Sequence, residues 1–233
     1  MSLPTPVRVL AVVAHPDDES WLMGGTLAAW SAAGADMHVV CMTTGDAGAD
    51  RRGGAQGPKA LAALRREEFA RACCALGVAG DVLNYPDGGL TSVPREEALN
   101  ELSAYAALYA PDRVLTHGLD GDYGHLDHLA VAGWVRAVWP DAWTAALPPG
   151  RMHRVWRALR NSGFDGVEKG MHAHHFGAHG DVAVPLTAAA WSAKREAVAC
   201  HESQLRDRAV SSFLSAGLMD EDWTKTERWS TGQ

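Results

Sequence analysis

Short apolar runs alternate with helical patterns along most of this chain, and that alternation limits the folds open to it. Val7–Val13 is nearly continuous in apolar residues and rich in β-branched ones, as expected for a strand covered on both faces. Leu22–Ala33 has a helical pattern that ends at Gly34, and Met37–Met42 predicts the next strand. Such alternation predicts a mostly parallel sheet with helices on both faces.

The same pattern continues through most of the 233 residues and predicts one domain over residues 1–233, a Rossmann-like three-layer α/β/α sandwich. In such sheets, ligands bind beyond the carboxyl ends of the strands. Gly45–Gly57 is rich in glycine and charge and predicts a long loop, while the tail from Arg206 mixes a helical pattern with polar ends. The other predicted helices are Lys59–Leu76, Pro94–Tyr109, Leu129–Trp139 and Thr187–Leu205, and the other predicted strands are Asp81–Tyr85, Arg113–Thr116, Arg154–Leu159 and Asp181–Val184.

The composition argues against several classes of partner. The net charge is −7 with histidine neutral, and no Lys/Arg run exceeds two residues, so we expect no nucleic-acid partner and no membrane partner. No segment approaches the roughly 20 apolar residues of a membrane-spanning helix, and the first residues lack a secretion-signal pattern. We therefore expect a cytoplasmic protein with reduced cysteines. The sequence does not decide whether the protein forms a homo-oligomer.

The first candidate site follows a predicted strand at His15–Glu19, "HPDDE", where three acids stand side by side. His15 and Asp18 are three positions apart across a turn stiffened by Pro16, so their side chains can face one point, with Asp17 beside it. A divalent cation at that point would offset the repulsion between the acids. Two protein ligands are too few for zinc, so we expect a third elsewhere. The structural alternative is that the acids simply begin a helix, where negative charge is favoured.

The second candidate segment is Gly124–His128, "GHLDH", at the start of a predicted helix. His125 and His128 are three positions apart and would face the same side. One of them can complete a His/Asp/His set and the other would lie near an open coordination position, but their spacing does not choose between them. Three protein ligands with one open position are typical of catalytic zinc. The alternative is a pair of surface histidines, and we favour the metal because both segments follow strands.

Together these segments resemble the LmbE/PIG-L family of zinc-dependent N-acetylglucosaminyl deacetylases, which includes enzymes of glycosylphosphatidylinositol, mycothiol and bacillithiol biosynthesis. The resemblance covers most of residues 7–205, and "AHPDDE" is its most specific part. Asp46 departs from the family pattern, which usually has Glu there. The matching segments, in chain order, are "AHPDDE" at 14–19, "GGTLA" at 24–28, "TTGDAG" at 43–48, "RREEFARACCALGV" at 65–78, "YPDGGL" at 85–90, "GHLDH" at 124–128 and "KREAVACHESQL" at 194–205.

The resemblance implies a metal centre with named roles. It makes His15, Asp18 and His128 the ligands of Zn²⁺, with Fe²⁺ as an alternative native metal. Asp17 resembles the general base that activates water. His125 resembles the residue that, as an imidazolium, stabilises the oxyanion or protonates the leaving amine. For that role we expect the pKa of His125 to be raised by a nearby carboxylate.

The resemblance also suggests supporting residues around the metal. Asp127 is a candidate carboxylate partner for a histidine N–H, its alternative being an acid at a helix start. Arg65 and Asp87 match positions expected to meet the sugar, although Arg65 could instead be a solvated charge on a helix surface. The histidine-rich segment His172–His179 contains no acid or cysteine and matches no family ligand, so we assign it no metal.

The predicted reaction is removal of the N-acetyl group from an N-acetylglucosamine-containing small glycoside, with release of acetate. The alternative enzyme is a related zinc amidase acting on a larger acyl group or a thiol conjugate. A different class is a metal-binding module without catalysis. The presence of both Asp17 and His125 argues against that class, because neither is needed merely to hold a metal.

Overall fold

The computed structural model describes residues 7–48, 50, 53–149, 177–205 and 226–231. In this part of the chain, seven strands form one sheet in the order β3-β2-β1-β4-β5-β7-β6. The first five strands are parallel to one another, and β7 is antiparallel to both β5 and β6. The strands are β1 (Arg8–Val13), β2 (Asp36–Thr43), β3 (Ala79–Tyr85), β4 (Arg113–Thr116), β5 (Trp143–Ala145), β6 (Val182–Pro185) and β7 (Thr226–Ser230).

Helices cover both faces of this sheet. They are α1 (Asp18–Ala32), α2 (Pro58–Leu76), α3 (Arg95–Tyr109), the short α4 (Gly121–Gly124), α5 (Leu126–Val138), α6 (Ala188–Cys200) and the single turn α7 (Glu202–Leu205), with a 3-10 turn at Leu90–Ser92. Alternate residues of β1 show how the layers form. Val9, Ala11 and Val13 face the cluster that contains residues of α1, α2 and α6. Leu10 and Val12 face the cluster that contains residues of α3 and α5. The predicted mostly parallel α/β sandwich is therefore confirmed.

Burial on both faces explains why β1 is continuously apolar. The five residues from Val9 to Val13 are almost fully buried, at 0–3% exposure. A fully buried valine or leucine side chain contributes about 1.5–3 kcal/mol relative to an exposed one. β1 is consequently the rigid centre from which the functional loops leave.

The strand order creates a switch point beside β1. The chain passes from β1 outward to β2 and β3, and then returns to form β4 on the other side of β1. The loops after β1 and β4 therefore diverge, and the crevice between them is the expected ligand site of an open α/β sheet. His15 follows β1 and His117 follows β4.

The structure differs from the sequence prediction at a few boundaries. α1 begins at Asp18 rather than at Leu22, and α5 begins at Leu126 rather than at Leu129. The single helix predicted over Thr187–Leu205 is interrupted at His201. Three sequence features lie outside the described residues: the predicted strand Arg154–Leu159, the histidines from His172 to His175, and most of the tail from Arg206. The end of that tail forms β7, which was not predicted. Among the helices that the structure describes, none has the length and apolar character of a membrane span.

Candidate metal centre

The candidate metal centre lies at the switch point, where the chain leaves β1 and β4. Residues 14–17 link the end of β1 to α1, and Asp18 and Glu19 lie in the first turn of that helix. The structural alternative therefore also holds, since these acids do begin a helix. His125 is the N-cap residue of α5, and His128 lies in the first turn of the same helix. The two candidate segments of the sequence thus meet in one crevice.

Donor atoms of three residues come together there at similar distances. His15 Nδ1 lies 3.3 Å from Asp18 Oδ2 and 3.3 Å from His128 Nε2, and His128 Nε2 lies 3.4 Å from the other oxygen, Asp18 Oδ1. Zinc bonds of about 2.0–2.1 Å in a tetrahedron give ligand–ligand edges of about 3.3–3.4 Å. The distance between the two histidine nitrogens matches such an edge, and the Asp18 carboxylate faces both nitrogens.

Buried carboxylates orient both imidazole rings. His15 Nε2 lies 3.2 Å from Asp127 Oδ2 and 3.2 Å from Asp87 Oδ1, and His128 Nδ1 lies 2.9 Å from Asp122 Oδ2. A carboxylate acceptor places the hydrogen on the facing nitrogen, so His15 Nδ1 and His128 Nε2 keep their lone pairs for a metal. Burial alone would lower the pKa of His15, but hydrogen bonds to these acids and to Asp18 raise it well above its usual value.

Two other histidines lie close to these donor atoms and are further candidate ligands. Asp18, His117 and His128 form one further compact group, and His15, His125 and His128 form another. His117 has no nitrogen to spare, because Nε2 accepts from the Ala14 N–H at 2.9 Å and Nδ1 lies 2.7 Å from Asp122 Oδ2. His125 Nδ1 accepts from the Asp127 N–H, which leaves Nε2 free beside the three converging atoms.

Asp122 is the residue of this centre that the sequence analysis missed. Its carboxylate contacts the Nδ1 atoms of both His117 and His128 and also accepts from the Gly118 N–H at 3.0 Å. Burial would raise the pKa of Asp122, but its contacts with the two histidines lower it far below its usual range. The segment 117–128 contains three acids and three histidines, but its spacing does not indicate which acid turns inward.

Asp17 stands at the side of the crevice in an unusual backbone conformation, with φ 137°. Its Oδ2 lies 3.2 Å from Arg65 Nη2. Burial raises the pKa of Asp17, Arg65 opposes that effect, and the resulting value is about 6. The carboxylate is therefore mostly ionised at neutral pH and still basic enough to take up a proton.

Arg65 and Asp87 are both engaged in holding the crevice. The Arg65 guanidinium is buried and donates to the carbonyls of Pro16, at 2.5 Å, and Gly45, at 2.9 Å. The alternative of a solvated charge on the helix surface is therefore wrong. Asp87 contacts His15 through one oxygen and accepts from the Ala47 N–H through the other. The expected contacts of Arg65 and Asp87 with a sugar stay predictions.

The expected upward shift of the His125 pKa is wrong. Burial and the neighbouring His128 and His15 lower the pKa of His125 to about 4. The carboxylate of Asp127 does not compensate, because it is turned toward His15 and the backbone N–H groups of Gly88 and Leu90. At neutral pH His125 is a neutral imidazole. With Nδ1 accepting from the backbone, its hydrogen is on Nε2.

Comparison with known proteins places the chain in a family. Residues 10–139 match PIG-L, described as GlcNAc-PI de-N-acetylase. This chain belongs to the PIG-L family. The family resemblance found in the sequence is thereby confirmed, and the cluster of histidines and acids fits the metal-dependent deacetylases of that family.

Two curated relatives of this PIG-L protein carry the same name, 1D-myo-inositol 2-acetamido-2-deoxy-alpha-D-glucopyranoside deacetylase. The relative from Nakamurella multipartita is 34% identical, and the alignment covers 86% of this chain and 80% of the relative. The relative from Mycolicibacterium paratuberculosis is 29% identical, with 92% and 87% covered.

Solved structures share the fold at lower identity. N,N'-diacetylchitobiose deacetylase from Pyrococcus horikoshii has a TM-score of 0.67 at 22% identity, with 97% of this chain and 85% of that chain covered. The 4-carboxy-2-hydroxymuconate hydratase from Pseudomonas putida has a TM-score of 0.64 at 20% identity, with 96% and 95% covered. A deacetylase and a hydratase therefore share this fold, so the reaction has to be argued from the site.

Proposed function

We propose that this PIG-L protein removes the acetyl group from an N-acetylglucosamine unit of a small glycoside and releases acetate. The observation that carries the proposal is the convergence of His15 Nδ1, the Asp18 carboxylate and His128 Nε2 within 3.3–3.4 Å of one another. Asp17 and His125 flank this group and would supply a base and a hydrogen-bond donor for an amide hydrolysis. The names of the two curated relatives support the same reaction.

Zn²⁺ is the metal that we propose for this site, with Fe²⁺ as the alternative. His15, Asp18 and His128 would hold it, which leaves one coordination position open. When bound, the metal would supply a Lewis acid that polarises the acetamide carbonyl and acidifies a water molecule.

Asp17 is the proposed general base. Arg65 fixes its carboxylate at 3.2 Å, and a pKa of about 6 matches a group that accepts a proton from the attacking water at neutral pH. The same proton can then pass from Asp17 to the departing amine, because a carboxylic acid with this pKa gives it up readily. Asp17 would thus act first as base and then as acid.

His125 is the proposed hydrogen-bond donor to the carbonyl oxygen of the acetamide. The Asp127 N–H at 3.2 Å from Nδ1 fixes the tautomer with the hydrogen on Nε2. A donor held in place before the reaction stabilises negative charge as it develops on that oxygen. A neutral ring serves this purpose, so the low pKa of His125 is compatible with catalysis.

The first glycoside to test is N-acetylglucosaminyl-inositol, on the strength of the names that the relatives carry. We propose that the protein acts in the cytoplasm, where a small polar glycoside of this kind would be available to it. Arg65 and Asp87 remain the proposed sugar contacts. Asp87 is the better placed of the two, because its carboxylate lies beside His15 at the metal site.

Acetate release tests the proposal. Purified protein would be stripped with a chelator, reloaded with Zn²⁺ or Fe²⁺, and given N-acetylglucosamine glycosides and matched analogues that carry longer acyl chains. We expect acetate from the acetylated glycosides only after reloading, and a loss of at least about 100-fold in turnover for Asp17→Asn, which keeps its shape but cannot accept the proton. Hydrolysis of the longer acyl chains alone would support the alternative amidase. No turnover of either series, with metal bound, would indicate a module without catalysis.

A further inference from the structure

The backbone of Asp17 needs an explanation beyond the metal ligands around it. Its φ of 137° with ψ −25° lies in a region that residues with a side chain rarely adopt. Conformations of this kind persist only where the surrounding structure fixes them. The contacts that fix Asp17 therefore bear on where its carboxylate points.

One side chain holds the Asp17 peptide directly. Glu19 Oε2 accepts from the Asp17 N–H at 3.0 Å. The Asp17 carbonyl accepts from the N–H groups of Ser20 and Trp21, both at 3.0 Å, as the first turn of α1 requires. The Glu19 contact is different, because a carboxylate reaches back to the residue that precedes its own helix.

Glu19 is itself fixed from the far end of the chain. It is fully buried, at 0% exposure, and its Oε1 accepts from Ser20 Oγ at 2.6 Å and lies 2.8 Å from His201 Nε2. His201 is 1% exposed and lies just beyond α6. A buried carboxylate needs a donor or a positive partner, and His201 supplies it.

The turn that carries His201 has a second anchor nearby. Ser203 donates to Glu68 of α2 through its N–H at 2.7 Å and through its Oγ at 2.6 Å. These contacts secure α7 to α2 without touching Glu19 or Asp17. Ser203 therefore provides a matched control that disturbs the same turn but not the same chain of contacts.

We propose that Glu19 and His201 are positioning residues for Asp17, with His201 holding the Glu19 carboxylate and Glu19 holding the Asp17 peptide so that the base faces the metal crevice. The inference rests on the proposed function of Asp17. It also gives a role to His201, which lies between α6 and α7 and is not among the proposed metal ligands.

The test compares His201→Phe, which keeps a planar ring but no donor, with Ser203→Ala and with His201→Gln, which restores an N–H donor. We expect kcat for acetate release to fall about 10- to 100-fold in His201→Phe, the scale of a small misplacement of a catalytic group. KM and bound metal should stay within about twofold of the parent. Ser203→Ala should keep kcat within about twofold of the parent, even if its Tm falls by as much as that of His201→Phe. His201→Gln should recover most of the kcat that His201→Phe loses.

Two outcomes would overturn the inference. The first is a folded His201→Phe protein that has the same kcat as the parent. The second is a Ser203→Ala protein that loses as much kcat as His201→Phe when the two have lost the same amount of Tm. If His201→Phe does not fold, Glu19→Met replaces it with the same expectation, because methionine keeps the length of the side chain but has no oxygen to accept the Asp17 N–H. Where both variants fold, combining Glu19→Met with His201→Phe should cost no more kcat than the worse single change, because the two act through one contact. Additive losses would mean that His201 does not act through Glu19.

A crystal structure of His201→Phe or Glu19→Met separates this inference from the proposed function. We expect φ of Asp17 to leave the positive region while His15 and Asp18 keep their places. An unchanged Asp17 backbone would overturn the inference whether or not the protein releases acetate. Absence of acetate release from the parent protein, with Asp17 displaced in the variant, would count against the proposed function alone.

Discussion

At the scale of single residues, His128 and His125 differ in their burial and in the hydrogen-bond partner of Nδ1. His128 is 1% exposed and its Nδ1 is fixed by Asp122, whereas His125 accepts a backbone N–H and is half-buried. We expect His128→Ala, like His15→Ala and Asp18→Ala, to lose most bound zinc, because each removes one of the three proposed ligands. His125→Ala should keep its zinc and lose turnover. Elemental analysis of the purified variants decides this, and full zinc in His128→Ala with loss in His125→Ala would reverse the two assignments.

The charge of Arg65 has a separate, measurable effect on the base. Burial raises the pKa of Asp17 and Arg65 lowers it, with a balance at about 6. Removing the charge should raise this pKa, so the acidic limb of kcat/KM against pH should move to higher pH in Arg65→Met.

Arg65→Lys is the matched control, because it keeps the charge while losing the paired donors to Pro16 and Gly45. Its acidic limb should stay closer to that of the parent, although turnover falls. An acidic limb in Arg65→Met that coincides with the parent's would assign the limb to a group other than Asp17.

Site residues can be predicted from the sequence where a short segment alone determines how its side chains are arranged. His15, Asp17 and Asp18 could be singled out from five consecutive letters, and the structure places them together in the crevice. Asp122 could not be found in this way. Its inward turn depends on a positive φ of 64° and on two histidines from different elements, and neither condition is visible in the spacing of the segment.

At the scale of elements, α1 is joined to β7 and α6 by one buried carboxylate. Glu227 of β7 accepts from the N–H groups of Gly25 and Thr26, at 2.9 and 2.6 Å, and pairs with Lys194 of α6. Close approach of these elements needs a glycine in α1. A Cβ on Gly25 would overlap Leu186 Cδ1 and come within 3.0 Å of Glu227 Oε1.

We therefore expect Gly25→Ala to destabilise the protein by about 1–3 kcal/mol, the usual cost of overpacking a core. Gly133 of α5 is the matched control, because a Cβ there meets nothing within 4 Å. Gly133→Ala should be neutral or stabilising by up to about 1 kcal/mol, since alanine favours a helix over glycine. Thermal or denaturant unfolding measures both. Equal stability of the two variants would contradict the packing argument.

Element boundaries failed where polar residues turn inward. The start of α1 was predicted late, at Leu22, because Asp18 and Glu19 do not continue an apolar pattern, yet both are buried in its first turn. β7 was missed for the same reason, since its inward residues are Glu227 and Trp229. The three-residue β5 (Trp143–Ala145) and the short α4 (Gly121–Gly124) were not predicted either, because neither is long enough to show a period. The longer strands and helices were predicted from local periodicity, which buried apolar residues reproduce well.

At the scale of the whole molecule, the Glu19–His201 contact joins the N-terminal and C-terminal parts of the chain in one buried pair. Burial lowers the pKa of His201, but the charge and hydrogen bond of Glu19, together with Asp17, outweigh that effect and the opposing charge of Arg65. The pKa of His201 is consequently raised above its usual value of 6.5. Ser20, its other close polar neighbour, is uncharged.

The raised pKa of His201 determines how the stability of the folded protein should change with pH. A pKa that is higher in the folded state contributes its full stability below about 6.5, and the contribution is lost as the pH rises through the folded value. We expect the Tm of the protein to fall above pH 6.5 more steeply than that of His201→Gln, which has no group to titrate there. Taking the difference between the two proteins at each pH removes the contributions of His15 and the other groups that they share. A constant difference in Tm from pH 6 to pH 9 would show that the state of His201 does not change over that range, and that its contact with Glu19 stabilises the fold as a neutral hydrogen bond.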